Sequence, residues 1–332
     1  MRLLYFSCHS ILEYDELRLF EDLGIQYFSL GSYVRPTAPV DPIRPSLKSY
    51  PETWVRGNAP PRDNIPLEFI SQFDTIIVMH VPEWIEQNWE KFRGKRVIWR
   101  TIGQSTPNIE ARMAQYTGRG LEIVRYSPRE ANLRPTAGCS KIIRFYKDER
   151  EFSNWNGAGS EVITFAQDMQ HRGEHCNYNA FIEITKGFNA HVYGPKNEGS
   201  GPLNGGFLTY GQLQQKLRDA RVYIYTGTQP ASYVLNLIEA MLTGVPIVAI
   251  GPKHGNSLNI GKGAELYEAQ DIIKNGVNGF ISDDINELRG RVQSLLDDLK
   301  LARRIGEMGR QTAIDLFGKK VIQEKWKQFL GV

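Results

Sequence analysis

Apolar runs of four to six residues, separated by segments of helical periodicity, recur along the whole chain, and this alternation constrains the fold more than any other feature. The runs lie at 3–7, 25–30, 75–79, 96–99, 121–126 and 142–146, then at 162–165, 190–193, 222–225 and 245–250. A strand that is apolar on both faces must be covered on both faces. Strands alternating with helices meet that need as a parallel, doubly wound sheet. After the first run, Ser10-Ile11-Leu12-Glu13 has the spacing of a capping box, and Leu17, Leu19, Phe20 and Leu23 recur at helical steps. Gly24 is placed to end that helix. Further helices are expected from Glu83 and near 175–187, 210–219, 231–243, 285–299 and 300–315.

At 332 residues, 41% of them hydrophobic, the chain can fill two cores, which excludes disorder as its overall state. The polar, glycine-containing segment 155–160 reads as a hinge. The reading is α/β: two Rossmann-like domains, 1–155 and 156–316, facing a cleft. A final helix in 317–332 is expected to cross back and pack Ile322, Trp326 and Phe329 on the first domain. Residues 31–66 break the rhythm with 8 of the 17 prolines, interleaved with Tyr33, Arg35, Arg44, Lys48, Tyr50, Trp54 and Arg56. A loop of that length is functional or disordered, and its aromatics favour function. No run of about 18 apolar residues is present, so no membrane span is expected. Cys8, Cys139 and Cys176 lack paired spacing. With no leader-like start, they point to a reducing, cytoplasmic setting.

The net charge of +3 conceals a polarity. Residues 1–90 carry 7 Lys and Arg against 13 Asp and Glu, a net −6, whereas residues 91–150 carry 14 against 5, a net +9. Such a stretch is either a solvated face or a patch for an anionic partner.

The stretch 225–251 carries the most chemistry. It reads as a strand, a small-residue loop, a helix stopped at Gly244, and another strand. A helix N-terminus near 231–234 would offer unpaired N–H groups and a positive dipole end to a diphosphate. Glu239, seven residues after Ser232, would share a helix face with it. There it either accepts from two adjacent hydroxyls, as on a ribose, or makes an ordinary salt bridge. No metal-ligand pattern appears: Asp283-Asp284 and Asp297-Asp298 fit helix starts and surfaces. Ser7-Cys8-His9-Ser10 after the first strand has no glycine, which disfavours a dinucleotide fingerprint.

The run Ser232-Tyr233 through Ile238-Glu239-Ala240-Met241 to Gly244-Val245-Pro246-Ile247-Val248-Ala249, with the later Gly276-Val277-Asn278-Gly279-Phe280-Ile281, resembles the signature of group-1 glycosyltransferases of the GT-B fold. The resemblance covers about residues 160–330 and is weaker before them. It implies a nucleotide diphosphate sugar as co-substrate, held by the second domain, no further cofactor, metal-independent transfer and retention. Glu239 matches the family's ribose-binding glutamate. The glutamate expected at Ala231 is absent, which leaves the sugar open. Arg172-Gly173 matches a Lys-Gly pair and makes Arg172 the diphosphate clamp, while a family arginine is replaced by Gln167. Thr226, Ser232, Tyr233 and His254 complete the expected donor site.

His80 closes an apolar strand, as a cleft histidine does in that family, and is expected to meet the donor sugar or an acceptor hydroxyl. Asp15 is the freer carboxylate of the first strand–helix turn, since Glu13 reads as the capping partner of Ser10. With Arg172, His80 and Asp15 are the catalytic candidates. His9, Arg100, Gln104, Trp54, Arg93, Lys95 and Arg96 are the acceptor candidates. The +9 stretch and the Arg/aromatic loop suit duplex DNA with an extruded, hydroxymethylated pyrimidine, as in viral base-modifying glycosyltransferases. A saccharide or lipid-linked glycan is the alternative acceptor. A nucleotide-sugar epimerase and a non-catalytic nucleotide-sugar binder are the other readings.

Overall fold

The computed structural model describes residues 1–31 and 60–332. Most of the proline-rich segment, with Tyr33, Arg35, Arg44, Lys48, Tyr50, Trp54 and Arg56, lies outside the described residues. The rest forms two compact units, Met1–Phe145 with Ile322–Val332, and Tyr146–Val321.

The first unit is built on β1 (Arg2–Phe6), β2 (Gln26–Ser29), β3 (Thr75–Met79), β4 (Arg96–Arg100), β5 (Leu121–Arg125) and β6 (Lys141–Ile142). They run parallel in the order β2-β1-β3-β4-β5-β6. Leu4, Phe6, Ile76, Val78 and Trp99 are fully buried in one cluster with Ile70, Ile85 and Met113 from the covering helices. The first helix, Ser10–Asp22, is followed by Gly24 at φ 69°, so the predicted stop is realised. Its start differs from the expected capping box. His9 is the N-cap, accepting from the Leu12 amide at Nδ1, and Glu13 instead accepts from Ser29 Oγ at 2.7 Å. Gly31 admits this: a Cβ there would lie 2.1 Å from the Glu13 carboxylate.

The last helix, Lys319–Leu330, brings residues from Ile322 onward into the first unit. Trp326 is buried, edge-on to Phe20 at 5.4 Å, with Ile322 and Leu330 one turn to either side. Phe329, expected in that buried face, is half-exposed and lies instead over the Arg96 guanidinium. The i, i+4 series 322, 326, 330 is the stripe that packs.

The second unit carries β7 (Val162–Phe165), β8 (Ala190–Tyr193), β9 (Asn204–Gly206), β10 (Val222–Tyr225), β11 (Ile247–Ile250) and β12 (Phe280–Ser282). Their order is β12-β11-β10-β7-β8-β9, again parallel, which places the reversal of winding between β7 and β10. The expected helix at 231–243 begins only at Leu235 and ends at Gly244, φ 95°. The expected helix at 175–187 is Tyr178–Thr185, preceded by the short turns Met169–Arg172 and Gly173–Cys176. Residues 146–155 group with this unit because Arg310 donates to the Phe152 and Glu149 carbonyls.

Helix Leu299–Phe317 reaches the Gly244 turn through Gly306. A Cβ on Gly306 would sit 2.0 Å from the Gly244 carbonyl oxygen. Alanine favours a helix over glycine by about 1 kcal/mol. A clash of backbone with backbone outweighs that, so Gly306→Ala should destabilise the second unit by about 1–3 kcal/mol. A denaturant midpoint equal to or above wild type would contradict this packing.

Candidate functional site

In open parallel sheets, ligands bind beyond the carboxyl ends of strands where the winding reverses. In the second unit that point lies past Phe165 and Tyr225. Three loops meet there, and Gln229 ties them together. Its backbone N–H donates to the His175 carbonyl at 2.8 Å. Its Nε2 donates to Ser257 Oγ at 2.9 Å and to the His254 carbonyl at 3.2 Å, and its Oε1 accepts from the Leu258 amide. Asn177 Nδ2 donates to the Thr226 carbonyl at 2.9 Å, and Asn236 Nδ2 to the Phe165 carbonyl at 2.5 Å. Gln229, Asn177 and Asn236 were missed by the sequence reading. A lone amide in a loop carries no periodic signal.

Of the expected donor residues, Arg172 ends the short turn after β7. Its guanidinium is partly exposed, with one long contact to the Gln167 carbonyl at 3.5 Å, so the charge is offered outward. Thr226 sits at the carboxyl end of β10, in line with the switch point. His254 is held in a turn, with Nε2 3.2 Å from the Asp283 carbonyl oxygen. Ser232 lies before helix Leu235–Thr243, not within it, because its carbonyl is engaged by the Glu268 amide at 2.9 Å. The shared helix face with Glu239 therefore does not exist. Tyr233 is buried with its ring 5.1 Å from Phe317, so its side chain packs in the core of the second unit. Glu239 is 4% exposed and pairs with Lys147 Nζ at 2.8 Å. Of the two readings kept open for it, the structure contains the salt bridge, and Lys147 is a partner that its distance in sequence had hidden.

In the first unit the reversal lies between β1 and β3, whose ends are joined by Cys8 Sγ near the Met79 carbonyl at 3.7 Å. His9 stands beside that point as the N-cap described above. His80 closes β3 in the left-handed region, φ 60°, which a non-glycine residue rarely adopts and which is often retained at functional sites. Its carbonyl accepts from Trp99 Nε1 at 2.8 Å and its amide donates to the Arg100 carbonyl. Among the described residues the buried His80 Nδ1 has no hydrogen-bond partner, and burial lowers the imidazole pKa, keeping it neutral. Asp15, expected as the freer carboxylate of the strand–helix turn, is buried in the first helix. Gln104 is exposed in the loop after β4.

The part of the basic stretch that carries the acceptor candidates is tied into local contacts and is not an open patch. Arg100 is fully buried, paired with Glu16 at 2.8 Å and donating to the Ile143 carbonyl, so it cannot meet an acceptor. Arg96 is held by Glu122 at 2.6 Å and donates to the Phe329 carbonyl. Lys95 Nζ caps the Phe73 carbonyl at 2.6 Å, and Arg93 pairs with Glu90. Arg112 bridges Glu83 and Glu86, and Arg119 pairs with Glu90. Glu16, Glu83, Glu86 and Glu90 all come from the acidic first 90 residues, so the linear polarity folds into ion pairs. Trp54 lies outside the described residues. Among the described residues no three His, Cys, Asp or Glu side chains come together as a metal site.

No protein-family profile matches the chain. Over 115 residues it is 28% identical to the poly(ribitol-phosphate) alpha-N-acetylglucosaminyltransferase of Staphylococcus aureus (strain COL), which covers 34% of this chain. The match spans only 20% of that curated relative. Among solved structures, sucrose-phosphate synthase from Thermosynechococcus elongatus superposes with a TM-score of 0.71 at 15% identity, covering 100% of this chain and 98% of the other. HepE from Anabaena, in complex with UDP-glucose, gives 0.65 at 14% identity over 100% and 99% of the two chains. Staphylococcus aureus TarM, in a complex with UDP, gives 0.61 at 17% identity over 80% of this chain and 58% of its own. These likenesses establish the fold: α/β, with the paired Rossmann-like units of GT-B glycosyltransferase structures.

Proposed function

We propose that the chain is a glycosyltransferase that takes a sugar from a nucleotide diphosphate sugar bound at the β7/β10 switch point and passes it to a hydroxyl of a saccharide. The observation that carries the reading is the outward-facing Arg172 at the carboxyl edge of the second sheet, beside loops stapled by Gln229. The UDP complexes of HepE and TarM support it by fold analogy. Arg172 would neutralise the leaving diphosphate, where negative charge grows in the transition state. Glu239 would accept from the ribose hydroxyls, since a carboxylate accepts several hydrogen bonds at once and the Lys147 contact is at one oxygen. His80, with its unpartnered Nδ1, would hydrogen-bond an acceptor hydroxyl. Transfer would proceed with retention and without a metal ion.

A saccharide acceptor is favoured over DNA because Arg96, Arg100, Arg112 and Arg119, part of the charge that suggested a phosphate backbone, are engaged in ion pairs. Calorimetry with a panel of nucleotide diphosphates and their sugars tests the donor half. Arg172→Ala should weaken the best ligand by about 1–3 kcal/mol, the cost of a lost charged hydrogen-bond partner. Glu239→Gln, which keeps the shape of the side chain, should weaken it comparably. Unchanged affinity in both variants, or no nucleotide binding by the wild type, overturns the site. Mass spectrometry of glycan and hydroxymethylated-DNA acceptors after incubation with the bound donor then decides the acceptor.

A further inference from the structure

We propose that the second unit carries a separate site for a saccharide bearing a phosphate or carboxylate, on the opposite edge of its sheet from the candidate donor site. A cavity of ≈ 280 Å³ opens there, bounded by Thr243 and Gly244 on one side and by Trp155 with Arg303 and Arg310 on the others. Thr243 and Gly244 end a helix and lead into β11, so the cavity lies at the amino ends of the strands. The β7/β10 switch-point loops leave from the carboxyl ends. The volume is near the lower limit of about 300 Å³ for pockets that enclose drug-sized ligands, which suits one sugar unit better than a nucleotide.

The charge in this cavity is unbalanced. Arg303 and Arg310 are seven residues apart on helix Leu299–Phe317, two turns, and share a face. Arg310 is half-buried and donates to the Phe152 and Glu149 carbonyls, which orient the guanidinium. Burial pulls its pKa down, against the opposing pull of the Glu149 carboxylate, so the cation is short of solvation. Among the described residues neither arginine makes an ion pair. Glu307 lies between them on the lining, one carboxylate against two guanidinium groups. A planar guanidinium matches a carboxylate or phosphate in two parallel hydrogen bonds.

Trp155 supplies the apolar wall. Its Nε1 donates to the Ala220 carbonyl at 2.7 Å, and Gly157 lets the chain turn against the ring, since a Cβ there would lie 2.4 Å from the indole. A fixed indole presents a negative π-face to the C–H face of a pyranose. The anion would then sit between Arg303 and Arg310. This site does not depend on the reading of the donor site.

Calorimetric titration of the full chain with glucose 6-phosphate, glucuronate, glucose and inorganic phosphate at low salt tests the proposal. At least one of the two anionic sugars should bind more tightly than both glucose and inorganic phosphate. Arg303→Glu, at an exposed position, should weaken that binding by about tenfold or more, roughly the 1.4 kcal/mol of a lost charged contact. Glu307→Gln should tighten it by about two- to fivefold by removing a like charge. Both variants should bind the nucleotide ligand as the wild type does. Failure of both anionic sugars to bind at about 20 mM, well above the weakest affinities of interest, overturns the site. So does binding that Arg303→Glu leaves unchanged, or inorganic phosphate binding as tightly as the sugars.

Discussion

Replacing Arg125 with methionine should destabilise the first unit by about 3–5 kcal/mol, because it strips the partner from a carboxylate that has no water to turn to. Arg125 and Glu110 are both fully buried, and two parallel hydrogen bonds of 2.6 Å join them. The guanidinium also donates to the Gly138 carbonyl at 2.8 Å, and Glu110 accepts from the Ala137 amide at 2.8 Å. The pair therefore pins the loop after β5 to helix Pro107–Thr117. Removing one member leaves a charge unpaired in a dry core. Removing both, as Arg125→Met with Glu110→Leu, should recover a large part of the loss, since a well-packed apolar replacement of a buried pair is often neutral. Urea unfolding of the two single variants and the double variant closes the cycle. Single variants that cost under about 1 kcal/mol, the range of exposed pairs, would show that this pair is not desolvated.

Stability of the same unit should fall as pH rises from about 4.5 to about 7, through Glu130. Burial pushes this carboxyl up to about 7, against the opposing pull of Arg125, and Thr101 Oγ1 donates to it. Its folded pKa is raised, so the folded state holds the proton over a range where the unfolded chain has lost it. The contribution is complete below the unfolded value, declines through the window and is gone above about 7. Moving a carboxyl from 4.5 to about 7 corresponds to about 3 kcal/mol. Glu130→Gln keeps an acceptor for Thr101 and cannot ionise. It should match the wild type near pH 4.5 and exceed it by up to about 3 kcal/mol at pH 8. The difference between the two proteins isolates this group from other carboxylates, such as Asp148, held down at about 2 by Arg150. Parallel stability curves for the two proteins across pH 5–8 would refute the assignment.

Much of the scaffold was legible in the residues. The apolar runs at 75–79 and 162–165 are β3 and β7 with the expected bounds, because a strand covered on both faces needs apolar residues on both faces. Gly24 and Gly244 end their helices at positive φ, where glycine alone has no steric penalty. β9, Asn204–Gly206, was not legible: it is a strand only because it lies beside Val192 and Tyr193. Helix Pro107–Thr117 also went unread, although Thr106 caps it and Pro107 opens it. In the candidate site, Arg172, Thr226 and Glu239 were picked out by motif, whereas Gln229 and Lys147 became visible only through what they touch.

The sequence by itself determined the class of fold, since hydrophobic periodicity and glycine placement act over a few residues and are written in order. Pairing between distant residues was decided by the tertiary structure. The acidic first 90 residues and the basic stretch after them read as separate surfaces, yet Glu16 meets Arg100, and Glu83 and Glu86 meet Arg112. Parallel strands place residues from remote segments side by side, and Coulomb attraction in a low-dielectric interior then selects opposite charges. Glu239 followed the same course. Its position in a motif suggested a ribose, and the buried ammonium of Lys147 beside it sets the terms on which any ligand can approach.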